Sequence, residues 1–244
     1  MGLINFPAIV LLLGPLLGII IQYKLKIKNH QIVANTVLFS GAFLLGVAVF
    51  GLMPELFNET NNAKQAGLWL IFGFLFQLIL EKFTGGVGHG HIHSHEVPRN
   101  IWVLYVGLYL HALFEGYSAG LSNYLTPLVL SSMVIGISIH EAPAAFSLSL
   151  LLKQKLKNKQ KLIIALIIYA LATPIGYTLG VYIHSVNIIS DNVSQIITAI
   201  IAGTFLHIST TIVFETSLWK KEGLSKWIFI LGGLIISYLA CMIG

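Results

Sequence analysis

The chain has 244 residues, of which 56% are hydrophobic and only 9% charged, against about 25% charged in an average soluble domain; this excludes a water-soluble globule and marks an integral membrane protein. At about 20 apolar residues per crossing, the length accommodates eight helices with short loops and no sizeable soluble domain, so residues 1–244 are expected to form one transmembrane domain. The formal net charge of +5 lies in loops and reads as topology and not as a nucleic-acid surface, while the single Cys241 supplies neither a disulfide framework nor a thiolate cluster.

In chain order, the first apolar run (3–23) has no Lys or Arg before it and is followed by Lys24, Lys26 and Lys28. A cleaved signal peptide has the opposite charge order, so this run is predicted to be a retained first helix with its N-terminus outside. Further helices are predicted over 32–57, 66–81, 101–121, 125–152, 162–183, 193–218 and 227–242. Most of these runs exceed the length of a membrane strand and lack in/out alternation, which favours an all-α bundle of eight transmembrane helices over a barrel.

The alternate loops test that count. Those placed inside carry Lys24, Lys26 and Lys28, then Lys82 and Arg99, then Lys153, Lys155, Lys157, Lys159 and Lys161, then Lys220, Lys221 and Lys226. Of the 14 basic residues only Lys64 falls outside, the asymmetry of the positive-inside rule. Both termini are therefore expected on the outer side. The loop over about 83–99, between the third and fourth helices, is glycine-rich and carries His89, His91, His93 and His95 at alternate positions. An extended backbone would project all four imidazoles from one side, a candidate device for capturing metal on the inner face.

Two polar strings interrupt the fourth and fifth helices, His111-Ala-Leu-Phe-Glu115-Gly116 and His140-Glu141-Ala-Pro143-Ala-Ala. On a helix His111 and Glu115 project from one face, about one turn apart. Each string sits near the middle of an apolar stretch, where a carboxylate costs roughly 2.5 to 3.5 kcal/mol on insertion scales. Imidazole nitrogen and carboxylate oxygen suit zinc and also iron, manganese or copper, so His111, Glu115 and His140 form a candidate ligand set with Glu141 as a fourth member. A bland alternative is a hydrogen-bonded His-Glu pair that only joins helices. Pro143 leaves the carbonyl of Ile139 without its helical partner, and a kink is expected there.

Other polar features lie at similar depth. Thr173-Pro174 interrupts the sixth helix, and His207 with Ser209, Thr210 and Thr211 is expected to interrupt the seventh. Glu55 falls at the outer end of the second helix and Glu215 near the inner end of the seventh, where acidic residues at the two mouths would attract a cation. His207, Thr173, Glu55 and Glu215 are thus candidate pathway residues.

These strings carry a family resemblance. The His111 string resembles the fourth-helix signature of the ZIP family of divalent metal-ion transporters, usually His-Asn-x-x-Glu/Asp-Gly, and the His140 string resembles the fifth-helix signature, usually His-Glu-x-Pro-His-Glu. The likeness continues through Met53-Pro-Glu55, Ala172-Thr-Pro174-x-Gly176-x-x-x-Gly180, Gly203-Thr-Phe-Leu206 and the histidine-bearing loop. It implies a multi-pass transporter, most often for zinc and sometimes for iron or manganese, with its metal site between helices four and five. It also implies a homodimer, movement of metal toward the cytoplasm, and a place in the plasma membrane. The metal is cargo and no resident cofactor is expected. Ala112 stands where the family usually has Asn, and Ala144 and Ala145 where it usually has further ligands, leaving His111, Glu115, His140 and Glu141 for one metal site.

Two other readings compete. His140-Glu141 begins a zinc-hydrolase His-Glu-x-x-His motif, but its fifth position is Ala144, which removes a ligand and argues against an enzyme. The same missing ligands suit a metal-binding membrane sensor or a non-transporting relative of the carriers.

Overall fold

Inside a bilayer an apolar chain must satisfy its own backbone polar groups, and helices do so segment by segment. The computed structural model describes residues 5–24, 30–59, 62–84, 101–122, 125–186, 190–214 and 225–242. Every regular element among them is helical: α1 (Asn5–Lys24), α2 (His30–Gly46), a π-helical turn (Val47–Leu52), α3 (Met53–Glu59), α4 (Ala63–Thr84), α5 (Ile101–Leu121), α6 (Pro127–Lys155), α7 (Lys159–Ala170), α8 (Ala172–Ser185), α9 (Asp191–Phe214) and α10 (Ser225–Met242).

Six helical stretches among the described residues are long and apolar enough to cross a membrane: Phe6–Lys24, Ala34–Asn58, Ala63–Lys82, Pro127–Lys155, Lys159–Ser185 and Asn192–Phe214. The protein is therefore a multi-pass helical membrane protein. α5 is not one of the six because His111, Glu115 and its tyrosines dilute its apolar character, and the apolar part of α10, Lys226–Met242, is shorter. Leu68, Ile71 and Leu75 on α4 and Ile164, Ile167 and Ile168 on α7 are exposed, as expected of faces turned to lipid.

Local chemistry explains the element boundaries. Pro127 opens α6 behind the Thr126 cap, and Asn158 caps α7 by accepting from the amides of Gln160 and Lys161 at 2.9 and 3.1 Å. The break between α7 and α8 falls at Leu171, just ahead of Pro174, whose ring cannot pack against the carbonyl four residues earlier. One expectation needs correction: α9 runs unbroken through His207. α6 is likewise continuous through Pro143. The hydroxyls of Ser209 and Thr210 donate to the carbonyl of Leu206 on their own helix at 3.1 and 2.6 Å, so their polar groups are satisfied within a continuous α9 where they were expected to interrupt it. The second predicted helix, in turn, contains the π-helical turn just ahead of Pro54.

The helices pack as two groups, α1, α5, α6 and α7–α8 in one and α2–α3, α4, α9 and α10 in the other, meeting chiefly where α2 and α10 touch α6 and where α5 touches α4 and α9. Glycine seams bring backbones close within each group. A Cβ at Gly116 would collide with the carbonyl oxygen of Thr173, and one at Gly176 with that of Leu113, so α5 and α8 interlock reciprocally. The α4/α9 seam repeats the pattern with Gly73 against Ile200 and Gly203 against Leu70.

Cross-helix contacts also identify the two ends. At one, Ser149 of α6 bonds Gln22 of α1 at 3.0 Å and Lys153 Nζ lies 5.1 Å from the centre of the Tyr23 ring. Lys24 and the Lys153 to Lys161 run thus share that end. At the other, Ser122 beyond α5 and Thr198 of α9 share a 3.0 Å hydrogen bond, and Glu55 of α3 accepts from the Thr126 amide at 2.9 Å and from its hydroxyl.

Candidate metal centre

The site begins with the rotation of α6. Gly14 and Gly18 of α1 leave no room for a side chain against the carbonyl oxygens of Ser138 and Ala142, and the Ser138 hydroxyl donates to the Val10 carbonyl at 2.7 Å. The Ser138 and Ala142 face is therefore held against α1. At 100° per residue, His140 lies on the opposite side of α6. That side meets α5, where Gly116 and Gly120 are pressed on α8 and Glu115, one residue before the glycine stripe, is turned about 100° from it.

The two helices thereby bring His111, Glu115 and His140 together, with one ligand atom from each lying within 4.8 Å of the others. His111 Nε2 and Glu115 Oε1 are 3.3 Å apart, close to the separation of about 3.3 Å that a tetrahedral ion with bonds of 2.0–2.1 Å imposes on its ligands. The imidazole rings of His111 and His140 meet edge to face with centroids 6.2 Å apart. Glu115 is only 1% exposed, and neither of its carboxylate oxygens accepts a hydrogen bond among the described residues. A buried carboxylate whose polar contact is an imidazole edge at 3.3 Å is costly unless a cation stands beside it. The set therefore has the composition, spacing and charge of a cation site. Ala144, one turn beyond His140 and 2% exposed, adds no ligand.

Glu141 lies outside that cluster. It is 1% exposed, and its Oε2 accepts a 2.7 Å hydrogen bond from Tyr169 of α7. Thr173 is completely buried on α8 beside Gly116, next to the site, and its hydroxyl has no hydrogen-bond partner among the described residues. Glu55 is engaged with Thr126 at the far end from the basic residues. His207 is not gathered with His111; it bonds Glu81 of α4, with Nε2 and Oε2 2.5 Å apart. Glu215 and the loop residues His89, His91, His93 and His95 lie outside the described residues.

Sequence reasoning missed Tyr169 and Glu81. No spacing rule links Tyr169 to Glu141 across 28 residues. For Glu81 a signal existed, an acidic residue closing a predicted span, but nothing along the chain pointed to its partner on another helix.

Comparison with known proteins follows the same lines. A family model described as ZIP zinc transporter matches residues 88–240, a range that includes all three clustered residues. The chain is 27% identical over 255 aligned residues to the zinc transporter ZIP1 of Danio rerio, covering 84% of this chain and 83% of that protein. It is 24% identical to zinc transporter ZIP1 of Mus musculus over 81% of this chain and 74% of that protein. Against zinc transporter ZIP9 of Micropogonias undulatus the identity is 30% over 59% of this chain, which spans about half of that relative, 49% of its length.

Proposed function

The chain belongs to the ZIP zinc transporter family, whose model matches more than half of its length, and from that premise we propose that it carries zinc through the site between α5 and α6. His111, Glu115 and His140 take up the partly dehydrated ion, and water completes its shell. The observation that carries this reading is Glu115, a buried carboxylate within ligand distance of two imidazoles from two helices. An ion neutralises that charge on arrival. Three protein ligands also suit a carrier, which must release its cargo as well as bind it. Iron and manganese, which accept the same donor atoms, are the competing cargoes.

We place eight crossings in the membrane, with α5 and α10 joining the six longer apolar stretches and both termini outside. The shared end of Lys24 and Lys153 supports the cytoplasmic assignment of that side. Uptake is then toward the basic end, in the plasma membrane, with the α1, α5, α6, α7–α8 group moving against the other as the site changes sides. Glu55 and Glu215 mark the outer and inner mouths, Thr173 lines the path, Glu141 supports His140 from behind, and the four loop histidines receive metal on the inner face. Two chains assemble as a homodimer in this reading. The competing reading, a sensor that binds metal without moving it, draws on Ala144 standing where the resemblance expects a ligand.

Zinc uptake into liposomes holding the purified protein tests the proposal, with iron and manganese as competitors and His111→Ala/Glu115→Ala as control. Saturable flux abolished in the control, and falling as acid protonates the histidines, is the expected result. Zinc binding without flux would favour the sensor, and undiminished flux in the control would remove these ligands from the path.

A further inference from the structure

The α4/α9 seam changes character along its length. Its outer half is closed by Gly73 and Gly203, each packed on the facing backbone. One and two turns beyond Gly73 on the same face of α4 come Gln77 and Glu81, and one turn beyond Gly203 on α9 comes His207. The Gln77 residue is 5% exposed and its Oε1 has no hydrogen-bond partner among the described residues. His207 is also 5% exposed; its Nε2 meets Glu81 Oε2 at 2.5 Å, its ring packs edge to face on Phe74 with centroids 4.9 Å apart, and its Nδ1 has no hydrogen-bond partner among the described residues. Two buried polar atoms are thus left over where a carboxylate, an imidazole and an amide share one seam. Each is a buried polar atom whose need for a partner the Glu81–His207 bond does not meet.

The helix that carries the seam also touches the helix that carries the first site. Phe76 of α4 and Phe114 of α5 pack edge to face with centroids 6.4 Å apart, and α4 and α5 run in opposite directions. At 1.5 Å per residue, Glu81 lies about 7.5 Å and His111 about 4.5 Å from those rings toward the basic end. Glu81 and His111 therefore both lie on the basic side of that contact, one in each helix group.

We propose that the Glu81–His207 pair, with Gln77 one turn away, is a second binding station for a divalent cation. The proposal rests on the reading of the chain as a carrier of such ions. A tetrahedral ion holds its ligand atoms about 3.3 Å apart, so the pair opens by about 0.8 Å to admit one. The Glu81 side chain, 20% exposed against 6% for that of His207, is the partner with room to move. The first pair is already set at ligand spacing, whereas this one is closed on itself through a hydrogen bond.

Equilibrium dialysis of the full-length purified protein against zinc tests it, in a background where His89, His91, His93 and His95 are serine so that the loop adds no ions. The background is expected to bind two ions per chain, His111→Ala one, His207→Phe one and the double variant none. His207→Phe keeps an aromatic ring against Phe74, and Glu81→Gln, which keeps the shape of the side chain, provides a second variant with the same expected loss. If His111→Ala binds no zinc, or if both His207→Phe and Glu81→Gln bind as many ions as the background, the pair is a clasp between helices and the proposal is overturned. Flux is measured separately, so failure of transport and failure of the second station give different results.

Discussion

Tyr169 of α7 donates a 2.7 Å hydrogen bond to Oε2 of Glu141 on α6, and both side chains are 1% exposed. The contact ties the residue beside His140 to the helix that ends at the Leu171 break. Oε1 of the same carboxylate accepts nothing among the described residues, so the phenol is the donor on which Glu141 depends.

Tyr169→Phe is accordingly expected to destabilise the protein by about 1–3 kcal/mol, the cost of a buried acceptor left unsatisfied. Adding Glu141→Met should recover most of that loss, because replacing both partners by apolar groups removes the stranded atom. Thermal unfolding in detergent measures all three variants. Strict additivity of the two substitutions would show that the hydrogen bond carries no coupling.

Ala144 lies one turn from His140 on the same face of α6 and is buried. A thiolate there supplies a soft fourth ligand of small volume, so Ala144→Cys should tighten zinc binding tenfold or more, about 1.4 kcal/mol. It should also lower the maximal flux, since a fuller shell slows release. Zinc titration and liposome uptake on the same preparation separate the two effects; unchanged affinity would mean that this position does not face the ion.

Gly116 in the α5/α8 seam and Gly67 on α4 give a contrast between two glycines. A methyl group at Gly116 meets the Thr173 carbonyl oxygen, whereas one at Gly67 meets nothing within 4 Å. Gly116→Ala must push two backbones apart and is expected to cost about 1–3 kcal/mol or more, with zinc binding lost because Glu115 moves with the seam. Gly67→Ala should be neutral or gain up to about 1 kcal/mol from helix propensity. Melting curves of the pair decide it, and equal stability of the two variants would remove close packing as the reason for Gly116.

Much of the site was legible along the chain because its strongest relation is local. His111 and Glu115 are four residues apart, and any helix places them on one face. The gathering of His140 was expected only through resemblance, since its distance from α5 depends on how α1 grips α6 through Gly14 and Gly18. His207 shows the limit. It was grouped with the candidate pathway residues, but its bonded partner, Glu81, is 126 positions away, and no periodicity carries information over that separation. The hydroxyl cluster beside it was expected to break α9, because the sequence does not reveal that Ser209 and Thr210 would turn back to their own carbonyls.

The sequence by itself determined the class of molecule and the type of each element. Apolar runs of membrane length can satisfy their backbones only internally, and that constraint acts within a segment. It determined as well which residues carry ligand chemistry, through composition and spacing on single helices. Only the tertiary structure decided the partners: Glu115 beside two imidazoles, Glu141 with Tyr169, and Glu81 with His207. In a medium where lipid is as apolar as the side chains, helix pairing turns on close backbone approach and polar contacts between helices, and those are properties of two surfaces together that neither stretch of sequence contains alone.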